Sequence, residues 1–271
     1  NLQFNRFSYN SDQRSWSVDV GFPTAKDPVT AQSGLVILAV AEGQKRYVQA
    51  EMELAGGTPA GIALRRPATA VNNAVNMLVV PVPAAQQVDL LLATVDLRGS
   101  ATVTAPAGWT LIWRDINGTA VRKATYWRIV DTTEPATYTW QFSAARSAVG
   151  LTSAYSGVLG TAPIHASGGQ VNTSSTRSIT APSLTTTTPD ALVVGLFGLA
   201  RGAPFAPPME MTKRTDVRSP SSVTNPVSAE TADYTPVVAE ATGTKAATST
   251  VAGPSVGQLV ALAPSDWAHV A

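Results

Sequence analysis

Hydrophobic and polar residues alternate with a period of two along several stretches of this chain. The pattern is clearest in SWSVDVGF (15–22), YVQAEMEL (47–54) and TYTWQF (137–142). Successive side chains of a β-strand point to opposite faces, so this alternation predicts strands with one apolar face. In the first stretch that face would carry Trp16, Val18, Val20 and Phe22.

Other short runs are apolar throughout. They are LVILAV (35–40), LLLATV (90–95) and ALVVGLFGL (191–199). Runs of this length are typical of strands that are buried on both faces. Proline and glycine interrupt the runs at short intervals, and apolar residues on a helical period are scarce. The pattern predicts an all-β protein, built as a β-sandwich.

The chain contains an internal repeat. Residues 77–115 align with 178–216 at an offset of 101 residues without gaps, so that Asp89 meets Asp190 and Pro106 meets Pro207. Each copy has a strand, an acidic turn, a long apolar strand, and an Ala-Pro step before another strand. Neither half could bury its sheet alone, so we expect the two halves to form one jelly-roll-like sandwich.

This repeat sets the predicted domain organisation. The sandwich would span residues 75–265 and a short tail residues 266–271. Residues 1–74 would form an additional N-terminal β segment, either an arm or a small β module, in which residues 35–54 are a weaker third copy of the pattern.

Charge and composition exclude several partners. Charged residues make up 14% of the 271, the net charge is +1, and cysteine is absent. A nucleic-acid interface needs clustered Lys and Arg, so we expect no nucleic-acid partner. No apolar run approaches the roughly 18–20 residues that span a bilayer, so we expect no membrane partner. Disulfides and thiolate metal sites need cysteine and are ruled out.

The sequence offers no catalytic motif. Ser156 in AYSGV has Ala154 and Val158 where a GxSxG nucleophile elbow needs glycines, and the histidines are His165 and His269. No HExxH, GxGxxG or GxxxxGK pattern occurs, so we predict no catalytic, metal or cofactor-binding residue and no cofactor. A glycosidase carboxylate pair remains an alternative, but nothing singles out two residues.

Five acidic residues lie in or beside predicted turns and are candidates either for backbone capping or for calcium. They are Asp89, Asp96, Asp115, Asp131 and Glu134. No DxDxDG-like cluster brings them together in sequence, so we favour capping.

Tryptophans mark the segment TAPAGWTLIWRD (104–115). Alternation would place Trp109, Leu111 and Trp113 on one face, and we predict that this face is the inside of the sandwich, with an exposed binding platform as the alternative. The repeat supports a scaffold role, because the aligned segment (205–216) has Glu210 and Arg214 in place of the tryptophans.

Aromatic residues are also frequent near the beginning of the sequence. We predict that this segment makes assembly contacts, with Phe4, Phe7, Tyr9 and Trp16 as the candidate residues. Exposed strand edges must pair or be covered, and an aromatic arm could cover one on a neighbouring subunit.

The order of motifs in residues 77–264 resembles a β-sandwich family found in virion proteins of tailed phages, often minor tail or structural proteins, and in actinobacterial surface proteins. The matching residues are Asp89, Pro106, Gly108, Trp109, Tyr126, Glu134, Pro135, Tyr138, Tyr155, Ser156, Gly157 and Pro163. The chain departs from the family pattern at Val88, usually glycine, and at Trp140, usually phenylalanine. The resemblance implies a structural or surface-binding role and brings no catalytic residues.

Two functions follow from these observations. The first is a non-catalytic virion structural protein of a tailed bacteriophage, in the tail, as a capsid decoration or in a head fibre. Its partners would be other virion proteins or copies of itself, with a host surface glycan as a further candidate, and the loop at 217–228 would face outward. The alternative is a secreted module on a bacterial cell surface that binds polysaccharide or cell wall.

Overall fold

The computed structural model describes the backbone of residues 3–10 and 15–21, and residues 61–265 apart from 221, 237 and the side chains of 72–75. The chain divides into two compact units, Asn1–Ala60 and Gly61–Ala271. The described residues form strands, turns and loops, as the period-two pattern predicted. They contain no helix, and therefore none that is long and apolar enough to cross a membrane.

The first unit contains one described β-hairpin. Strand β1 (Gln3–Asn10) pairs antiparallel with β2 (Ser15–Gly21), and the register shifts between Phe4 and Arg6. The strand predicted from the alternation at 15–22 is therefore present. The predicted strands within 35–40 and 47–54 lie outside the described residues.

The second unit contains two antiparallel six-stranded sheets packed on each other, as predicted for a sandwich. The strands of the first sheet are β3 (Ala63–Pro81), β4 (Leu90–Arg98), β5 (Val103–Thr104), β6 (Thr110–Asn117), β7 (Val121–Ile129) and β8 (Thr137–Ser156). The strands of the second are β9 (Ile164–Ala181), β10 (Leu192–Leu199), β11 (Phe205–Ala206), β12 (Thr212–Arg218), β13 (Ser228–Tyr234) and β14 (Lys245–Leu262). Strand β3 runs through residues 74 and 75, where the sequence had suggested a domain boundary.

The two sheets have the same strand order. In the first, the order is β8-β4-β7-β6 with β3 and β5 both on β8; in the second, it is β14-β10-β13-β12 with β9 and β11 both on β14. Each half of the repeat thus builds a whole sheet. The chain completes one sheet before it begins the other, and so does not alternate between sheets as a jelly roll does.

Over most of the repeat, equivalent residues of the two halves are 102 positions apart, one more than the offset of 101 found in the sequence. Strands β3 and β9 begin at Ala63 and Ile164, which fits the offset of 101. From the next turn onward the correspondence is one residue longer. Val88 and Asp190 then coincide as residues with positive φ, at 67° and 60°, and so do Gly108 and Glu210, at 82° and 71°.

Each sheet is covered on both faces, which explains the apolar runs. On β4, Leu91, Ala93, Val95 and Leu97 face an outer core with Leu78, Val80 and Trp140. The alternate residues Leu90 and Leu92 pack against β10 of the other sheet. The outer cover comes from the far ends of the long strands β3 and β8, where residues 77–81 pair with 137–141. The second half repeats this arrangement around Phe197 and Ile179.

Candidate functional site

The tryptophan segment is split between two faces of the first sheet. Trp109 is 9% exposed and its ring lies 5.2 Å from the rings of Tyr138 and Trp140 in the outer core. Between Leu111 and Trp113 the register of β6 shifts against β7, so Trp113 pairs with Thr125 on the inner face and is 37% exposed. The prediction of one continuous face was therefore wrong, because a bulge re-aims the strand. The prediction that Trp109 packs in a core is confirmed, but that core is the outer one and not the space between the two sheets.

The correspondence with the second half is also corrected. The counterpart of Trp109 is Met211, which is 6% exposed, rather than Glu210, which occupies the turn position of Gly108. The bulge recurs on β12 between Lys213 and Thr215. Both halves therefore keep a buried anchor followed by a bulge.

The motif residues of the family resemblance form local structural contacts. Tyr138 Oη donates to Glu134 Oε1 at 2.6 Å, and Arg128 forms ion pairs with Glu134 at 3.1 Å and Asp131 at 3.0 Å. The guanidinium of Arg128 also lies 5.3 Å from the ring centre of Tyr138. These contacts hold the turn before β8 in place.

The residues that the sequence offered as candidates for catalysis or metal binding form separate local hydrogen bonds and do not come together. Ser156 Oγ donates to Ala63 O, whereas Nε2 of His165 accepts from the backbone N–H of Thr187. Asp89 accepts hydrogen bonds from the backbone N–H of Gln86 and from the Arg65 side chain. Asp131 accepts one from the backbone N–H of Thr133, as expected for capping. Within residues 61–265 as described, no group of three His, Cys, Asp or Glu side chains could hold a metal ion.

The predicted assembly residues lie on the β1–β2 hairpin. The register places Tyr9 opposite Trp16, Phe7 opposite Val18, and Phe4 opposite Val20. The surroundings of these four side chains lie outside the described residues.

A buried ion pair lies between the two sheets. Lys123 Nζ on β7 donates to Asp96 Oδ2 on β4 at 2.8 Å, and both side chains are 0% exposed. Burial raises the pKa of Asp96 and lowers that of Lys123, while the attraction between the two charges opposes both shifts. A Cβ at Gly198 on β10 would lie only 2.0 Å from Asp96 Oδ1, so the glycine makes room for the carboxylate.

Polar contacts continue across the interface between the halves. Thr125 Oγ1 donates to Gln258 Oε1 at 2.6 Å, and Gln258 Nε2 donates to Asp115 Oδ2 at 2.8 Å. Asn117 Nδ2 donates to the backbone oxygens of Asn172 and Ser255. The sequence interpretation missed this network and placed Asp96 near a turn. The available signal was Asp96, which directly follows the apolar run LLLATV within β4.

An end groove of about 830 Å³ opens where the N-terminal end of β3 meets β12 and β13. Arg214 is paired with buried Asp233 at 2.7 Å, and Lys245 is paired with Glu210 at 3.2 Å. Lys245 Nζ also lies 4.5 Å from the ring centre of Tyr234. The groove thus presents cationic side chains that are each paired with a carboxylate, so hydrogen-bond donors lie next to hydrogen-bond acceptors.

Glu210 in the end groove has an unusual backbone conformation. Its φ of 71° is one that residues other than glycine adopt rarely, and the first half has Gly108 at this position. Such strain is common at ligand-binding positions. The end groove therefore combines a concave surface with convergent polar groups, and we take it as the candidate functional site.

A second, smaller cavity of about 430 Å³ lies at the junction of the two halves. Its walls include Arg98, Arg146 and Ser147 of the first half and Thr224 and Asn225 of the second. The loop at 217–228, which we expected to face outward, is anchored here because Ser147 Oγ donates to Thr224 O and Arg98 Nη2 donates to Asn225 Oδ1.

Comparison of the chain with protein-family models, curated proteins and solved structures finds no match.

Proposed function

We propose that the chain is a non-catalytic structural protein of a tailed-phage virion that acts through subunit assembly. The proposal rests on the family resemblance of residues 77–264 and on a fold in which the motif residues serve packing. The partners would be other virion proteins or further copies of this chain, and the location would be the virion.

The observation that carries the proposal is the edge strand β3. This 19-residue strand lies at the end of the first sheet, and among the described strands it pairs with β8 alone. It carries Val71 and Val79, which are 41% and 47% exposed. A long edge with exposed apolar side chains is a template for pairing with another chain unless it is covered.

Substitution of Val79 by Lys tests this proposal. A lysine buried in a subunit contact costs more than the approximately 1.4 kcal/mol that a factor of ten represents, so V79K should lower the assembled fraction about tenfold or more. Native mass spectrometry over a concentration series and electron microscopy of particles with the incorporated chain give the measurement.

The control is V251K, which places the same charge at a valine that is 44% exposed on β14. It should assemble as the unmodified protein does. A chain that stays monomeric and is absent from assembled particles would refute the proposal, and so would hydrolase activity on glycans.

The alternative, a secreted bacterial surface module that binds polysaccharide, is favoured by the end groove. The Lys245–Glu210 pair can donate to one sugar hydroxyl and accept from the next, and Arg214, held by the buried Asp233, adds a further donor. The discriminating observation is genomic: neighbouring capsid and tail genes favour the virion protein, whereas a secretion signal encoded upstream favours the surface module.

A further inference from the structure

The junction cavity, defined above by its volume of about 430 Å³, is built by loops of both halves. Arg98 and Gly99 come from the end of β4, Arg146 from β8, and Asn225 from the loop before β13. Hydroxyl groups of Ser100 and Thr119 also line it. A ligand held here would contact both sheets at once.

Arg98 and Arg146 line the junction cavity, and Arg201 lies beside Arg98. Arg98 Nη1 and Arg201 Nη1 donate to the same acceptor, the backbone oxygen of Ala200, at 3.1 and 2.9 Å. Arg146 Nη1 donates to the backbone oxygen of Ala145 at 2.9 Å. Their described hydrogen bonds therefore end on neutral acceptors.

The cavity lacks the counter-charges found elsewhere in the described part of the chain. Arg65, Arg128 and Arg214 each form an ion pair with a carboxylate. None of the ion pairs among the described residues includes Arg98, Arg146 or Arg201, and no carboxylate lines the junction cavity. The local charge is positive although the net charge of the chain is only +1.

Arg98 is partly buried, whereas Arg146 and Arg201 are exposed. Nε of Arg98 is buried and has no hydrogen-bond partner among the described residues. Burial and the neighbouring Arg201 charge both lower the pKa of Arg98, which means that the site disfavours its positive charge. Gly99 has a φ of 85°, and a Cβ there would lie 2.9 Å from Arg146 Nε, so the glycine turn makes room for that side chain.

We propose that the junction cavity binds a tetrahedral oxyanion, a phosphate or sulfate group that is either free or carried by a saccharide. An oxyanion would supply the missing counter-charge, and planar guanidinium groups recognise such anions through paired hydrogen bonds. The volume exceeds that of a bare anion and leaves room for part of a sugar. Because residues of both halves contact the ligand, binding also stabilises the closed sandwich.

Isothermal titration calorimetry and thermal unfolding of the full chain test this proposal. The probes are inorganic phosphate, inorganic sulfate, glucose 6-phosphate and glucose, each in chloride buffer of constant ionic strength. We expect phosphate and sulfate to raise Tm and to bind, whereas glucose does neither. Tighter binding of glucose 6-phosphate than of phosphate would assign a saccharide source, and equal binding would assign the free anion.

The variant R146Q removes one guanidinium at the mouth of the cavity and should weaken phosphate binding about tenfold. The matched control R177Q removes the same charge from an exposed position on β9 and should leave binding unchanged. The proposal is overturned if phosphate raises Tm no more than chloride does, or if R146Q binds phosphate as tightly as R177Q. Neither result depends on whether the chain assembles.

Discussion

Glu230 lies on β13 with a side chain that is 0% exposed, and its nearest cation, Lys213 Nζ, is 3.8 Å away. It faces the core of the second half at the position that Ala124 occupies in the first half. Burial raises the pKa of Glu230 from 4.5 to about 7; Asp216 adds to the rise and Lys213 opposes it. The same core position thus holds an alanine in the first half and an ionisable glutamate in the second.

This raised pKa predicts a pH-dependent stability. Because the folded-state pKa exceeds the unfolded value, Glu230 costs no stability below about pH 4.5; the stability then falls as the pH rises from about 4.5 to about 7 and levels off above that. One pKa unit corresponds to about 1.4 kcal/mol, so the loss between pH 5 and pH 8 should be about 2 kcal/mol. Urea unfolding of the unmodified protein and of E230Q at both pH values measures it.

The variant E230Q cannot ionise at this position and should lack that loss, so its advantage over the unmodified protein grows with pH. Parallel stability profiles for the two proteins would show that Glu230 does not titrate between pH 5 and pH 8.

At the level of elements, the bulge on β6 decides what the two tryptophans do. Trp109 precedes it and is buried in the outer core, whereas Trp113 follows it and faces Gly169 of β9, where a Cβ would lie 2.3 Å from Trp113 Nε1. Trp109 therefore packs in the interior of the first half, whereas Trp113 packs at the interface between the two halves.

Alanine substitutions separate these roles. W109A empties a buried site and should lower the free energy of unfolding by about 3–5 kcal/mol. W113A removes a side chain that is 37% exposed and should cost less than half of that. Denaturant titration of both variants gives the comparison, and equal losses would contradict the split that the bulge creates.

The sequence predicted much of the second unit and missed details of a recognisable kind. Alternation identified the beginning of β8. Apolar runs identified β4 and β10, since a strand covered on both faces needs apolar residues at nearly every position. The repeat indicated two related sheets. Its ungapped offset failed after β9, because the second half has one additional residue in the following turn. Without a gap, the alignment equates each later residue with one that points to the opposite face of the sheet.

The candidate sites were harder to predict, because they depend on contacts between distant strands. Glu210 and Lys245 are 35 residues apart, and Arg98 and Asn225 are 127 apart. No local spacing motif joins such pairs. Only the placement of one sheet on the other brings them together.

At the scale of the whole molecule, the two halves join through the Asp96–Lys123 pair and the small residues opposite. In the second half, the positions of Asp96 and Lys123 are occupied by Gly198 and Ala229. The cavity that these small residues would leave is filled by the ion pair of the first half. The interface is therefore complementary and asymmetric, although both halves have the same strand order.

A double-mutant cycle tests this interface. K123M leaves Asp96 buried without its partner and should cost about 3–5 kcal/mol of unfolding free energy. Adding D96A removes the stranded charge and should recover more than half of that loss. Urea denaturation of both single variants and the double variant measures the coupling, and strictly additive losses would show that the pair contributes nothing as a unit.

Asp96 lies against Gly198, the residue at the equivalent position of the second half, and this contact makes each half specific for the other. Two first halves placed face to face would press two aspartates together in a dry seam, while two second halves would meet glycine to glycine over a void. If the linker between β8 and β9 were cut, the fragments would select each other as a heterodimer and reject their own kind.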